Sequence, residues 1–144
     1  DLHASLAPSE MCIRDRTSND ELIFRQITPH LWSDGDAAPA LFSFGPQRSD
    51  KGKPSFSRSS KVSAQQAFEW HNKNAHSKSR GVWACTVDEA CQAKLRVVDD
   101  SAVNAGAAPG HCYVDYRNLS KAEERERRAI LARFAISRGI QYPT

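Results

Sequence analysis

The stretch GVWACTV, Gly81 to Val87, decides the fold. Val82, Trp83, Thr86 and Val87 favour extended chain, and a glycine releases the run from what precedes it, so a central strand is expected here. Working outward, Thr86 and Glu89 have capping-box spacing, which makes DEACQAK (88–94) a short helical turn before a strand at Leu95 to Val98. Asp99 to Gly110 is loop by composition, and HCYVDY (111–116) is a further strand. Ser120 with Glu123 caps a last helix that runs to about Arg138 and stops at Gly139. Its apolar stripe, Ile130, Leu131, Phe134 and Ala135, lies in the second half, while KAEERERR (121–128) is charged nearly all round.

Upstream, Ser63 and Gln66 open a helix through about Asn74 whose apolar face is expected to carry Ala64, Ala67, Phe68 and His71. ELIFRQI (21–27) alternates as a strand does. Between them, residues 28–61 are rich in glycine and proline, and short strands are expected near 41–44 and 55–58. The order strand, long connection, helix, strand, short helix, strand, strand, helix implies an α+β fold: a small mixed or antiparallel sheet with two main helices, the longer one C-terminal. Residues 1–20 show no periodicity and are expected to form a disordered or non-native leader, leaving one domain over 21–144.

A chain of 144 residues with 40% hydrophobic and 26% charged positions suits one domain able to fold without metal or disulfides. No apolar run approaches the ~18 residues of a membrane-spanning helix, so no membrane is expected and the expected address is the cytoplasm. The four cysteines fit neither a dense disulfide framework nor zinc-ligand spacing; Cys85 and Cys112 read as small apolar residues within strands, and no metal site is expected.

The net charge of +3 conceals blocks: −4 over 1–46, +6 over 47–80, −3 over 81–115 and +4 over 116–144. The second block holds Arg48, Lys51, Lys53 and Arg58 interleaved with Ser55, Phe56, Ser57 and Ser59. Cations, hydroxyls and an aromatic can hold an anion, although no Walker or GxGxxG spacing accompanies them. The last block adds Arg125 and Arg128 at the start of the final helix. Among the histidines, His30 and His111 are the candidate proton carriers, because both sit at strand ends beside loops. Neither accompanies a GxSxG motif, Cys112 should face away from His111, and Asp99-Asp100 reads as a turn.

The segments ELIFRQITP, FSFGP (42–46), SDKGKPSFSRSS (49–60), SAQQAFE (63–69), GVWACTVDE and HCYVDY together resemble a group of small uncharacterised bacterial proteins over residues 21–138. The likeness implies a bacterial, single-domain product and carries no activity. Within the leader, MCIRDR (11–16) resembles translated sequencing-adapter read-through, which implies that residues 1 to about 16 are not native. A fainter likeness, an arginine in LIFRQ followed by SFSRSS, is to ADP-ribosyltransferase-like enzymes, and it implies NAD contacts at Arg25, Ser57 and Ser59. The chain departs from that pattern in lacking an E-x-E or a late catalytic glutamate after a strand.

Two readings follow. The first is a bacterial accessory domain, without cofactor, whose basic loop and basic helix start (Arg48, Lys51, Lys53, Arg125, Arg128) bind an anionic protein or nucleic acid. The second is a nucleotide-using, NAD-dependent transferase in which Arg25 and Arg58 clamp phosphates, Ser57 and Ser59 support the ligand, and His30 or His111 carries a proton.

Overall fold

The structure, a computed structural model, describes residues 11–13 and 20–144. Its strands are β1 (Met11–Cys12), β2 (Leu22–Ile27), β3 (Ser55–Arg58), β4 (Gly81–Thr86), β5 (Arg96–Asp99) and β6 (His111–Asp115), and its helices are α1 (Ala64–Asn74), α2 (Val87–Gln92) and α3 (Lys121–Arg138). The strands form one antiparallel sheet in the order β1-β5-β6-β3-β2-β4, so the run expected to be a central strand, β4, instead ends the sheet, its outer side met by a single bridge from Val82 to Tyr142. The fold is α+β, with α3 the longest helix. Among the described residues no helix is long and apolar enough to cross a membrane.

Each helix begins where its hydroxyl cap stands. Ser63, Thr86 and Ser120 accept the N–H of Gln66, Glu89 and Glu123, and those three side chains reach back to the cap backbone. Each reciprocal pair satisfies two otherwise orphaned N–H groups, so the helix starts follow from four-residue words.

Strand alternation divides the sheet into two unlike faces. Ile23, Ile27, Phe56, Trp83, Cys85, Val97, Cys112 and Val114 point to the closed face, where Leu131, Ala132 and Ala135 of α3 and Ala90 of α2 complete the main core. The other face buries a smaller cluster, Phe24, Val82 and Ala84, beneath Ala64 and Phe68 of α1. Cys85 and Cys112 lie wholly in the closed-face core, and burial pushes both thiols up, so they stay protonated. Of the expected leader, Met11–Cys12 pairs with β5 and Ile13 is buried in the core, while residues 1–10 and 14–19 lie outside the described residues.

The long connection departs from expectation at 41–44, which forms consecutive turns rather than a strand. The carbonyls there serve side chains instead of a neighbouring strand. Arg25 Nε donates to Ser43 O at 3.0 Å and Nη2 to Gly45 O at 3.2 Å, and Tyr116 Oη donates to Phe44 O at 2.9 Å. Arg25 Nη1 also donates to Ser55 O at 3.0 Å, which ties the connection to the start of β3.

Removing that guanidinium strands three carbonyls at once. Arg25→Met is expected to cost about 3 kcal/mol or more by urea denaturation, with Arg25→Lys recovering less than half because one ammonium cannot span the same acceptors. A cost below about 1 kcal/mol would refute the tie.

Candidate functional site

The open face carries a cleft of about 620 Å³. Its floor is Phe24 and Gln26 of β2, Ser55 and Ser57 of β3 and His111 of β6; Ala67, Trp70 and His71 of α1 form one wall and residues 104–108 the other. Thr28, His30 and residues of the segment 47–50 close one end. The volume suits a small organic ligand.

At the floor, three side chains from separate strands and a loop line up. Ser55 Oγ lies 2.9 Å from His111 Nε2, and His111 Nδ1 lies 2.5 Å from Asp100 Oδ1. An ionised carboxylate only accepts, so Nδ1 carries a proton and donates to Asp100, and in the neutral ring Nε2 is then the acceptor for the Ser55 O–H. Asp100 and His111 are buried at 8% and 9% exposure, whereas Ser55 is exposed. A hydroxyl open to solvent, backed by an imidazole that a buried carboxylate orients, is the geometry of an activated nucleophile.

Local sequence builds this arrangement. Asp99 and Asp100, adjacent where β5 ends, point to opposite faces: Asp99 to Arg58 and Asp100 to His111. The Asp100 carbonyl accepts the N–H groups of Val103 and Asn104, which turns the chain back along the cleft. Gly110 returns it to β6 at φ +72°, and a Cβ there would lie 2.8 Å from Cβ of Lys61. Glycine meets both demands.

The other histidines serve different ends. His30 Nδ1 lies 3.0 Å from Thr28 Oγ1, and its Nε2 lies 3.4 Å from Gln47 Oε1. His71 Nε2 donates to Ser77 O at 2.7 Å; burial pushes its pKa down and the charges of Arg25 and Lys78 add to that, against the Ser77 hydrogen bond, so it is neutral at pH 7. Among the described residues no group of three His, Cys, Asp or Glu is placed to hold a metal ion.

The structure brings His30, His111, Arg25 and Ser57 to one cleft and leaves Arg58 and Ser59 outside its lining. Every nitrogen of the Arg25 guanidinium donates to a main-chain carbonyl. Ser59 Oγ accepts the Leu22 N–H at 3.0 Å. Arg58 donates to Glu21 at 2.9 and 3.1 Å and to Asp99 at 2.7 Å. Arg48, Lys51, Lys53 and Arg125 are exposed elsewhere, and Arg128 is half-buried. Ser55 and Asp100 were not singled out by any motif. The available signal was Ser55 two positions before Ser57, hence on the same strand face, whereas its partner lies 56 residues away.

Comparison with family models, with curated proteins and with solved structures finds no match for this chain.

The Arg58 network behind the cleft has a defined pH response. Burial pushes Glu21 and Asp99 up, but the hydrogen bonds of Arg58, Ser60 and Ser101 with the Arg58 charge outweigh it, and both carboxyls sit below their ordinary range. A lowered folded pKa contributes stability above the ordinary carboxylate value and loses it as pH falls through the folded one. Arg58→Leu is therefore expected to cost about 3 kcal/mol at pH 7 and progressively less toward pH 3 in urea titrations. A cost independent of pH would contradict the pairing.

Proposed function

We propose that the chain is a serine-dependent hydrolase of small acyl substrates, with Ser55 as nucleophile, His111 as general base and Asp100 as the residue that orients it. The observation that carries this reading is the pair of contacts at 2.9 and 2.5 Å converging on an exposed hydroxyl in a cleft. In the first step the Ser55 Oγ–H proton passes to His111 Nε2 as the Oγ–C bond forms at the acyl carbon. The bond to the leaving oxygen then breaks, and the alcohol departs with the proton from His111. Water then gives a proton to the same nitrogen as it attacks the acyl-serine; the Oγ–C bond breaks, the proton returns from His111 to Ser55 Oγ, and the acid is released.

The test uses diethyl 4-nitrophenyl phosphate, which a serine nucleophile of this kind attacks at phosphorus with loss of 4-nitrophenolate. Intact mass and peptide mapping are expected to place one diethylphosphoryl group on Ser55. Ser55→Ala should abolish it and His111→Ala should slow it about 100-fold or more, since a positioned base contributes on that order. Labelling elsewhere, or an equal rate in a folded His111→Ala variant, would overturn the assignment.

A second reading, a basic surface that docks an anionic protein or nucleic acid, is favoured by a separate observation. The loop 45–54 leans on the start of α3 and the turn before it: a Cβ at Gly45 would lie 2.6 Å from Cδ of Arg128, and one at Gly52 2.9 Å from Cγ of Arg117. This packing joins the two cationic blocks, with Arg48, Lys51, Lys53 and Arg125 exposed. If duplex nucleic acid is the partner, log affinity should fall with log salt by about 0.9 per phosphate contact, and the double change Lys51→Glu, Lys53→Glu should flatten that slope. A salt-independent or absent interaction with duplex DNA and RNA leaves only an acidic protein as partner.

A further inference from the structure

Gln26 is the anomaly of the cleft. It borders the open space, yet both polar atoms of its side chain are shut off from solvent and have no hydrogen-bond partner. A buried amide with neither donor nor acceptor satisfied lowers stability, and an apolar side chain of the same length would not. Such a cost is characteristic of a group kept for a ligand.

Its position says which part of a ligand it would meet. β2 and β3 pair with Ile23 opposite Arg58 and Phe24 opposite Ser57, and the same register continued places Gln26 opposite Ser55 on the open face. Neighbouring side chains on adjacent antiparallel strands stand about 5 Å apart. Gln26 thus stands on the strand next to Ser55 and on the same face of the sheet, both lining the cleft. A carboxamide offers one acceptor and one donor in a plane, which complements another amide. The lining also disfavours a charged ligand. Its one carboxylate, Asp50, accepts the Gln47 N–H at 2.7 Å and lies 3.9 Å from Arg25, whose nitrogens already donate to carbonyls.

We infer that Gln26 is the specificity residue of this cleft, reading the amide of an uncharged N-acyl amino-acid ester beside the carbonyl that Ser55 attacks. The inference rests on the hydrolase reading and is separable from it. The full chain is assayed with two esters of matched chain length, 4-nitrophenyl N-acetylglycinate and 4-nitrophenyl pentanoate. Gln26→Met removes the amide and keeps the length. The ratio of kcat/KM for the amide ester over the pentanoate, compared between wild type and Gln26→Met, cancels the intrinsic reactivity of the esters. That ratio is expected to fall about tenfold to a hundredfold in the variant, the size of one or two hydrogen bonds, while pentanoate hydrolysis persists and the melting temperature does not drop. An unchanged ratio with activity still dependent on Ser55 would overturn the role of Gln26 and leave the nucleophile standing. Equal turnover by Ser55→Ala, or none of either ester by wild type, would remove both.

Discussion

A buried guanidinium sets the shape of this molecule. Arg25 stands on β2, one strand in from the β4 edge of the sheet, and faces the main core, where burial works against its charge and Asp50 at 3.9 Å offsets that only in part. What remains is met by carbonyls from the long connection and by the Phe56 ring, 5.4 Å from the guanidinium carbon. Residues 40–47 are therefore wrapped around a cation rather than paired as a strand. The connection is fixed in space without regular structure, and the segment after it is delivered to one end of the cleft.

The cleft follows from an imbalance between the two faces. Both α2 and α3 join the main core on one side, and the other side receives α1 alone, packed over Phe24, Val82 and Ala84. Ser55, Ser57 and His111 continue the open face with polar groups where a second helix would have required apolar ones. The loop after β5 turns beside them without covering them. A face only half covered, with its uncovered half polar, can stay open to water without exposing apolar surface.

Much of the frame was legible because it is written locally. Three capping boxes, each four residues long, placed the helix starts; alternation placed β2, turn signals bracketed β3, and runs of strand-forming residues placed β4 and β6, each to within a residue or so. Leu41 to Phe44 misled because its apolar character serves burial of Phe44 alone, with Leu41 and Phe42 at 46% and 41% exposure. His111 was visible as a histidine between a loop and a strand. Its partners were not: Asp99-Asp100 reads as a turn, whereas Asp99 ends β5 and Asp100 follows it before the turn at 101–103, and Ser55 sits in a strand with no motif around it. The contact between them depends on β3 and β6 being neighbours, a property of strand order that no window of sequence contains.

The charge blocks separate in the same way once the chain is folded. Several of the arginines are consumed by the fold itself: Arg58 by Glu21 and Asp99, Arg96 and Arg117 by Asp115, and Arg138 by Glu89. Arg127 and Arg128 pair one turn back with Glu123 and Glu124. Arg48, Lys51, Lys53, Lys121 and Arg125 remain exposed, whereas the cleft is lined by hydroxyls, amides, aromatics and imidazoles, with Asp50 and Arg25 its charged members. On the hydrolase reading the cleft would select its ligand by shape and hydrogen bonding; on the docking reading the exposed cations would select a partner by charge. Salt screens recognition by charge and leaves recognition by shape almost untouched, so ionic strength is the variable on which the two readings part.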